Sequence, residues 1–241
     1  MIIVVDVETT GLHPDKNGIV SIGAVVYDDP TKLFTGELQN AKHFEAYGSM
    51  GGAYSSSRKK APSPPPWTTP NMIERFNGGG LFYEECRVRD GAVIDPKALV
   101  VNGFTETEIR DENKFSEARL VKHFAEWWKS IDPEDNIIAG HNVHFDWGFL
   151  NTAFIQNNVA LLINKRILDL HSLCMASLLR RGKSVGEIHS DFLMSYVGLP
   201  TEPKPHNALN GAQWETEAFG RLIEGKNKLP QFSRFPTPDY L

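Results

Sequence analysis

Asp6 and Glu8 stand two residues apart at the end of an apolar run, Ile2-Ile3-Val4-Val5, within the segment Asp6-Val7-Glu8-Thr9-Thr10-Gly11. The run reads as a buried β-strand. Side chains along a strand repeat with period two, so both carboxylates project from one face. Two such acids are costly at the end of an apolar strand unless something positive compensates them. An all-oxygen pair suits a hard divalent cation, Mg²⁺ or Mn²⁺. Gly11 then turns the chain away. The competing reading is a surface turn with incidental acids, since one short motif is only a hypothesis.

Two further segments carry residues of the same kind. His141-Asn142-Val143-His144-Phe145-Asp146 lies where a strand expected at 136–139 hands over to a helix at about 143–157. Asn142 is placed to cap that helix, and Asp146 falls in its first turn, where an acid also simply suits the helix dipole. His206-Asn207-Ala208-Leu209 opens the last expected helix, about 207–224. A single histidine there is more often structural than catalytic.

The elements that must position these groups follow from periodicity. Strands are expected at 2–7, 18–28, 81–89, 136–139 and 167–170. Thr105-Glu106-Thr107-Glu108 is a capping-box pattern that opens a short helix. Phe115, Leu120, Phe124, Trp127 and Trp128 recur at helical spacing over 114–131 and read as core, and another helix spans about 171–181. Strands first, then strands alternating with helices, indicate an α/β sandwich with a mixed sheet. Residues 29–79 break the pattern with Gly48, Gly51, Gly52, three serines and Pro62-Ser63-Pro64-Pro65-Pro66, the composition of an insertion. The expected organisation is one domain over 1–225 with that insertion, followed by a Pro/aromatic tail at 226–241.

Composition narrows the function classes. A net charge of −5 argues against passive coating of nucleic acid but not against a metal enzyme, whose cations supply local positive charge. Arg180-Arg181-Gly182-Lys183 and Arg58-Lys59-Lys60 are candidate phosphate contacts, though short basic runs are usually solvated surface. Cys86 and Cys174 form no CxxC or Cys/His cluster, which argues against zinc and against a disulfide framework. A reduced, cytoplasmic setting is therefore expected. No apolar run approaches the roughly 18 residues that span a membrane, and no signal-peptide pattern is evident.

In order and spacing, Asp6-Val7-Glu8-Thr9-Thr10-Gly11, His141-Asn142-Val143-His144-Phe145-Asp146 and His206-Asn207-Ala208-Leu209 resemble the three motifs of the DEDDh 3′→5′ exonucleases, a group that includes epsilon-type proofreading subunits, RNase T and oligoribonuclease. Asn102-Gly103-Phe104-Thr105 is similar to that family's segment between the first two motifs. The resemblance implies an RNase H-like fold with a five-stranded mixed sheet flanked by helices. It also implies two divalent ions, Mg²⁺ or Mn²⁺, acting about 3.5–4 Å apart on the phosphodiester of a single-stranded DNA or RNA 3′ end. Asp6 would bridge the ions, Glu8 and Asp146 would each hold one, and His206 would take a proton from the attacking water, a role suited to its near-neutral pKa. By the same resemblance Thr9, Thr10, Gly11, Leu12 and Asn142 would contact the terminal nucleotide. For Leu12, turn packing is an equal alternative.

One position departs from the pattern. The family carries an Asp five residues after the histidine, and here that residue is Gly211. Asn210 beside it is a poor replacement. A glycine inside a helix also costs about 1 kcal/mol relative to Ala, so helix stability does not explain it. On helical spacing Ala208, Gly211, Ala212, Glu215, Ala218, Phe219 and Leu222 share a face, and Glu215 is the one acid in a stripe that should be buried. Helical side chains lean toward the N-terminus, so Glu215 is the expected fourth acid, with Gly211 clearing its path. The alternative is that Glu215 pairs with a basic residue or reaches solvent; Glu217 points elsewhere.

The leading expectation is a metal-dependent 3′→5′ exonuclease releasing nucleoside monophosphates. A second is a catalytically weakened protein of the same fold that binds nucleic acid or a polymerase partner. Its docking element would be the insertion or the tail segment Pro230-Gln231-Phe232-Ser233-Arg234-Phe235-Pro236, although a tail folded back on the domain is the simpler reading. An RNase H-like endonuclease fits less well, because the His206 motif belongs to the exonuclease branch. Asp169, after the fifth expected strand, is read as structural.

Overall fold

The computed structural model describes residues 1–27, 80–131, 136–160 and 166–241. The 29–79 insertion, with Arg58-Lys59-Lys60, lies outside the described residues. Five strands form one sheet in the order β3-β2-β1-β4-β5. They are β1 (Ile2–Thr9), β2 (Ile19–Val26), β3 (Leu81–Glu85), β4 (Ile137–Gly140) and β5 (Ile167–Asp169). β2 runs antiparallel to β1 and β3, whereas β1, β4 and β5 are parallel, giving the expected mixed sheet. β1 extends through Glu8 and Thr9, and β3 stops four residues short of the expected 89, with Arg87 making only an isolated bridge to Ser116.

Alternation along β1 decides which layer each side chain enters. Ile3, Val5 and Val7 pack against α3 (Glu117–Ile131) and α4 (His144–Gln156), through Phe124, Trp128, Phe149 and Leu150. Val4 faces the other layer, built from α5 (Leu170–Arg180), α6 (Ser190–Tyr196) and α7 (Ala208–Glu224). Asp6 and Glu8 continue the Val4 face, so the helix that opens after His206 covers them. In β3 the same alternation drives Glu84 into the core, where His123 on α3 stands 3.0 Å from its carboxylate.

Two helices escaped the periodicity reading, α1 (Pro96–Asn102) and α6. Both have seven residues, too few for an apolar stripe to declare itself, and α1 leaves Val100 and Val101 exposed. Caps mark them instead. The Asp95 side chain accepts from Lys97 N with Pro96 in the first turn, and His189 Nδ1 accepts from Phe192 N. The Thr105 capping box forms as expected and opens α2 (Glu106–Ile109). Asn142 does not cap α4. It adopts a left-handed conformation (φ 59°), Val143 occupies the cap position without a side-chain bond, and the Val143 N–H donates to Asp169 Oδ2 at 3.0 Å.

The tail lies on the domain. Phe232 is buried edge-on against Trp214, and Tyr240 donates to Tyr196 O at 2.7 Å. No helix among the described residues is long and apolar enough to cross a membrane.

Candidate active site

A cleft of about 540 Å³ opens at the carboxyl ends of the parallel strands, lined among others by Asp6, Glu8, Asp146, Glu202, His206 and Glu215. The acids of the main cluster arrive on three elements, β1, α4 and α7. Asp6 and Glu8 come from the end of β1. β1 outruns β4, whose last pairing with it is Val4↔Ala139, so the Val7 N–H must find a partner elsewhere and donates to Asp146 Oδ1 at 3.0 Å. That bond draws a side chain of α4 around the sheet end into the cleft.

Glu215 arrives from α7, two turns into the helix. The His141 N–H donates to its carboxylate, and its Oε2 is sealed from solvent with no hydrogen-bond partner among the described residues. A methyl at Gly140 would sit 3.3 Å from that oxygen, which puts the carboxylate over the end of β4. Gly211 serves a different neighbour from the one expected. A Cβ there would collide with Asp6 Oδ2, so the missing side chain makes room for the Asp6 carboxylate, while Glu215 enters from the next turn.

His206 and Asn207 are fixed from several sides. Asn207 Oδ1 accepts from Leu209 N and Asn210 N, capping α7, while its Nδ2 donates to Tyr83 OH at 2.8 Å. The His206 N–H donates to Val101 O at 3.0 Å. Behind it, Gly103 ends α1 with φ 74°, and a side chain there would meet Pro205 Cβ at 2.5 Å. The segment from Val101 to Gly103 thus braces the loop that carries His206.

Burial pushes the Asp6 carboxyl up to about 7 and the Glu202 carboxyl up to about 8, the latter also through repulsion from Asp6. Glu8, Asp146 and Glu215 are likewise raised well above the ordinary carboxylate range, by burial first and by their negative neighbours second. Burial lowers His206 and His141, favouring neutral imidazoles. Among the described residues no Lys or Arg forms an ion pair with Asp6, Glu8, Asp146 or Glu215. Nor are three or more His, Cys, Asp or Glu side chains among them already gathered as a coordination shell. Acids that only repel one another stay apart. An all-oxygen set with a buried, unpartnered carboxylate oxygen fits a hard divalent cation.

These shifts have a measurable sign. Each carboxyl binds its proton more tightly folded than unfolded, so the native state holds extra protons between the ordinary value near 4 and the raised values of about 7 and 8. Stability of the cation-free protein therefore falls as pH rises through that window. Thermal melts in chelator should show a lower Tm at pH 8 than at pH 5, with excess Mg²⁺ or Mn²⁺ recovering the loss at pH 8. A Tm that rises with pH in chelator would contradict the electrostatics of the cluster.

Of the residues singled out from sequence, Asp6, Glu8, Asn142, Asp146, His206 and Glu215 line this one cleft. Gly11 and Leu12 line a neighbouring hollow of about 330 Å³ with His13, Lys16, Asn17 and Val93, and Leu12 is 71% exposed there. The hydroxyls of Thr9 and Thr10 are spent on backbone, Thr9 donating to Gly11 O within the turn at 2.7 Å and Thr10 to Val93 O at 2.8 Å. Sequence reasoning missed Glu202, which sits in a proline-rich loop where no periodicity marks it. It also missed the lining histidine His171, stacked on His141 with ring centroids 6.2 Å apart.

A 3′-5′ DNA exonuclease of Escherichia coli, Cap18, is 25% identical over 238 residues, spanning 95% of this chain and 95% of its own length. The fold resembles cell-death related nuclease 4 (TM-score 0.61, 13% identity, 94% of this chain and 64% of the other). It also resembles E. coli Exonuclease I in complex with a 5cy-dT13 oligonucleotide (TM-score 0.57, 18% identity, 93% of this chain). The chain spans only 40% of that enzyme's length. The RNase T exonuclease model matches residues 73–219, from before β3 to within α7, and so includes His206 and Glu215 while leaving β1 outside. On that match, the chain belongs to the RNase T family of exonucleases.

Proposed function

We propose that this protein is a metal-dependent 3′→5′ exonuclease that removes nucleoside monophosphates from single-stranded DNA, with Glu215 replacing the acid absent at position 211. The observation that carries the reading is the convergence of Asp6, Glu8, Asp146 and Glu215, uncompensated by basic side chains among the described residues, in one cleft with His206. DNA is favoured over RNA because Cap18 is a DNA exonuclease and Exonuclease I binds a dT13 oligonucleotide.

The four carboxylates would hold Mg²⁺ or Mn²⁺. Bound there, the cations would supply positive charge to the scissile phosphate and to the oxygens whose charge builds during cleavage. His206, kept largely neutral by burial, would take the proton from the attacking water. Asn142, exposed at the mouth and left-handed, turns the chain so that His141 can donate its N–H to Glu215 while α4 starts two residues on.

Gly211 gives the weakened-enzyme reading its one support, and Glu215 answers it. Single-stranded DNA and RNA labelled at the 5′ end, incubated with Mg²⁺ or Mn²⁺, should separate the two. A ladder shortening from the 3′ end of DNA, abolished by Asp6→Asn, is the expected result. Retained binding without degradation at any cation concentration would establish the weakened form instead.

A further inference from the structure

Glu202 belongs to none of the three motifs, yet its carboxylate sits at the heart of the third. It lies on the loop between α6 and α7, with a side chain only 13% exposed. One oxygen, Oε1, accepts the Asn207 N–H at 3.3 Å, and the other, Oε2, stands 3.4 Å from His206 Nδ1. A single carboxylate thus touches both the backbone that opens α7 and the imidazole ring just before it. Among the described residues this is the ring's only ion-pair contact.

An imidazole has two nitrogens, and a hydrogen-bond acceptor at one of them decides which is protonated. When ionised, a carboxylate facing Nδ1 favours the tautomer with hydrogen on Nδ1, and it leaves Nε2 as the basic atom. It also limits rotation of the ring. We propose that Glu202 is a positioning residue for His206, selecting the tautomer and orientation in which Nε2 can accept a proton from water. This rests on the reading of His206 as the general base. It gives Glu202 a role distinct from that of the cleft's other acids. Glu202 spends its oxygens on Asn207 and His206, whereas Glu215 keeps a buried oxygen without a partner.

The tautomer can be read without any turnover. In ¹⁵N-labelled, cation-free protein at a pH above about 8, where the ring is neutral and Glu202 is ionised, long-range ¹H–¹⁵N spectra should show His206 with hydrogen on Nδ1. Glu202→Ala should move it toward the Nε2–H form, and Glu202→Gln, which keeps an acceptor in place, should retain the original. A wild-type ring with hydrogen on Nε2 overturns the proposal, whatever the variants do.

Turnover supplies the second reading. On labelled single-stranded DNA, Glu202→Ala should lower kcat roughly 10- to 100-fold, the usual effect of removing an orienting partner. KM and the half-saturating Mg²⁺ concentration should stay within about twofold of wild type. In a His206→Ala background the same change should cost nothing more, because the group it orients is gone. An equal further loss in that background, or a large rise in the Mg²⁺ requirement, would make Glu202 a cation ligand and overturn the positioning role. A fully active His206→Ala enzyme would remove the base itself, and the tautomer spectra would separate that failure from a failure of the Glu202 contact.

Discussion

Glu215→Gln should lower kcat about 100- to 1,000-fold while raising the melting temperature of the cation-free protein at alkaline pH, where the buried carboxyl ionises. The rate loss follows from removing one of the ligands for a charge that contributes several kcal/mol to the transition state, at about 1.4 kcal/mol per factor of ten. The stability gain follows from the same carboxylate in the opposite sense. Its oxygen is sealed without a partner, beside Asp6 and Asp146 which repel it, and a neutral amide of equal length relieves that burial. The recovery of Tm by Mg²⁺ should shrink in the variant, since one ligand fewer holds the ion. Wild-type activity in Glu215→Gln would move the fourth acid elsewhere, with Glu202 the next nearest carboxylate in the cleft.

Gly211→Ala tests the neighbouring turn by a similar opposition. Alanine should favour the helix by about 1 kcal/mol. Its methyl group nevertheless collides with Asp6 Oδ2, so Asp6 must swing out of the cleft. A more stable helix with at least tenfold less activity is the expected pair of outcomes, a 1 Å misplacement being enough for losses of that order. Gly211→Asp meets the same obstacle. Restoring the family's usual acid should therefore not rescue activity, and a large gain would show that Asp6 relocates freely.

The sequence made Asp6, Glu8 and Glu215 legible because each breaks a periodicity that otherwise demands apolar residues. Strand alternation put the first two on one face, and the helical stripe put Glu215 at a position meant for burial. The purpose of Gly211 was misassigned because it depends on a contact between β1 and α7, which no local pattern encodes. Glu202 was invisible for a related reason. Its partners are four and five residues away across Pro203 and Pro205, where the chain follows neither helical nor strand spacing. Asn142 looked like a cap because its residue type suits one. Tertiary context overrode that preference, since Asp169 on the neighbouring strand already held the Val143 N–H and left Asn142 free to make the turn.

The largest effect on stability should come from a residue outside the cleft, Arg221. It is fully buried near the end of α7 and paired with Glu217 at 2.8 Å. Its NH1 donates to Val197 O and Gly198 O, and its NH2 to Phe235 O at 2.7 Å. Glu217 uses its second oxygen to accept the N–H groups of Lys228 and Leu229. One ion pair therefore ties the end of α6, the last helix and the tail together, which explains how a Pro/aromatic segment is held against the domain. Arg221→Met keeps the bulk but strands the Glu217 carboxylate and several carbonyl groups in the interior. Removing one partner of such a pair costs about 3–5 kcal/mol, and at about 2–4 °C per kcal/mol for a chain of this size the melting temperature should drop by roughly 6–20 °C. The Val197–Gly198 turn leads directly into the loop bearing Glu202 and His206, so the same variant should also lose activity well below its new melting temperature. A variant that melts like the wild type would mean that packing of Phe232 and Trp214 alone anchors the tail. A variant that melts early yet cleaves normally in the cold would mean that the brace formed by Val101, Gly103 and Pro205 suffices to hold His206.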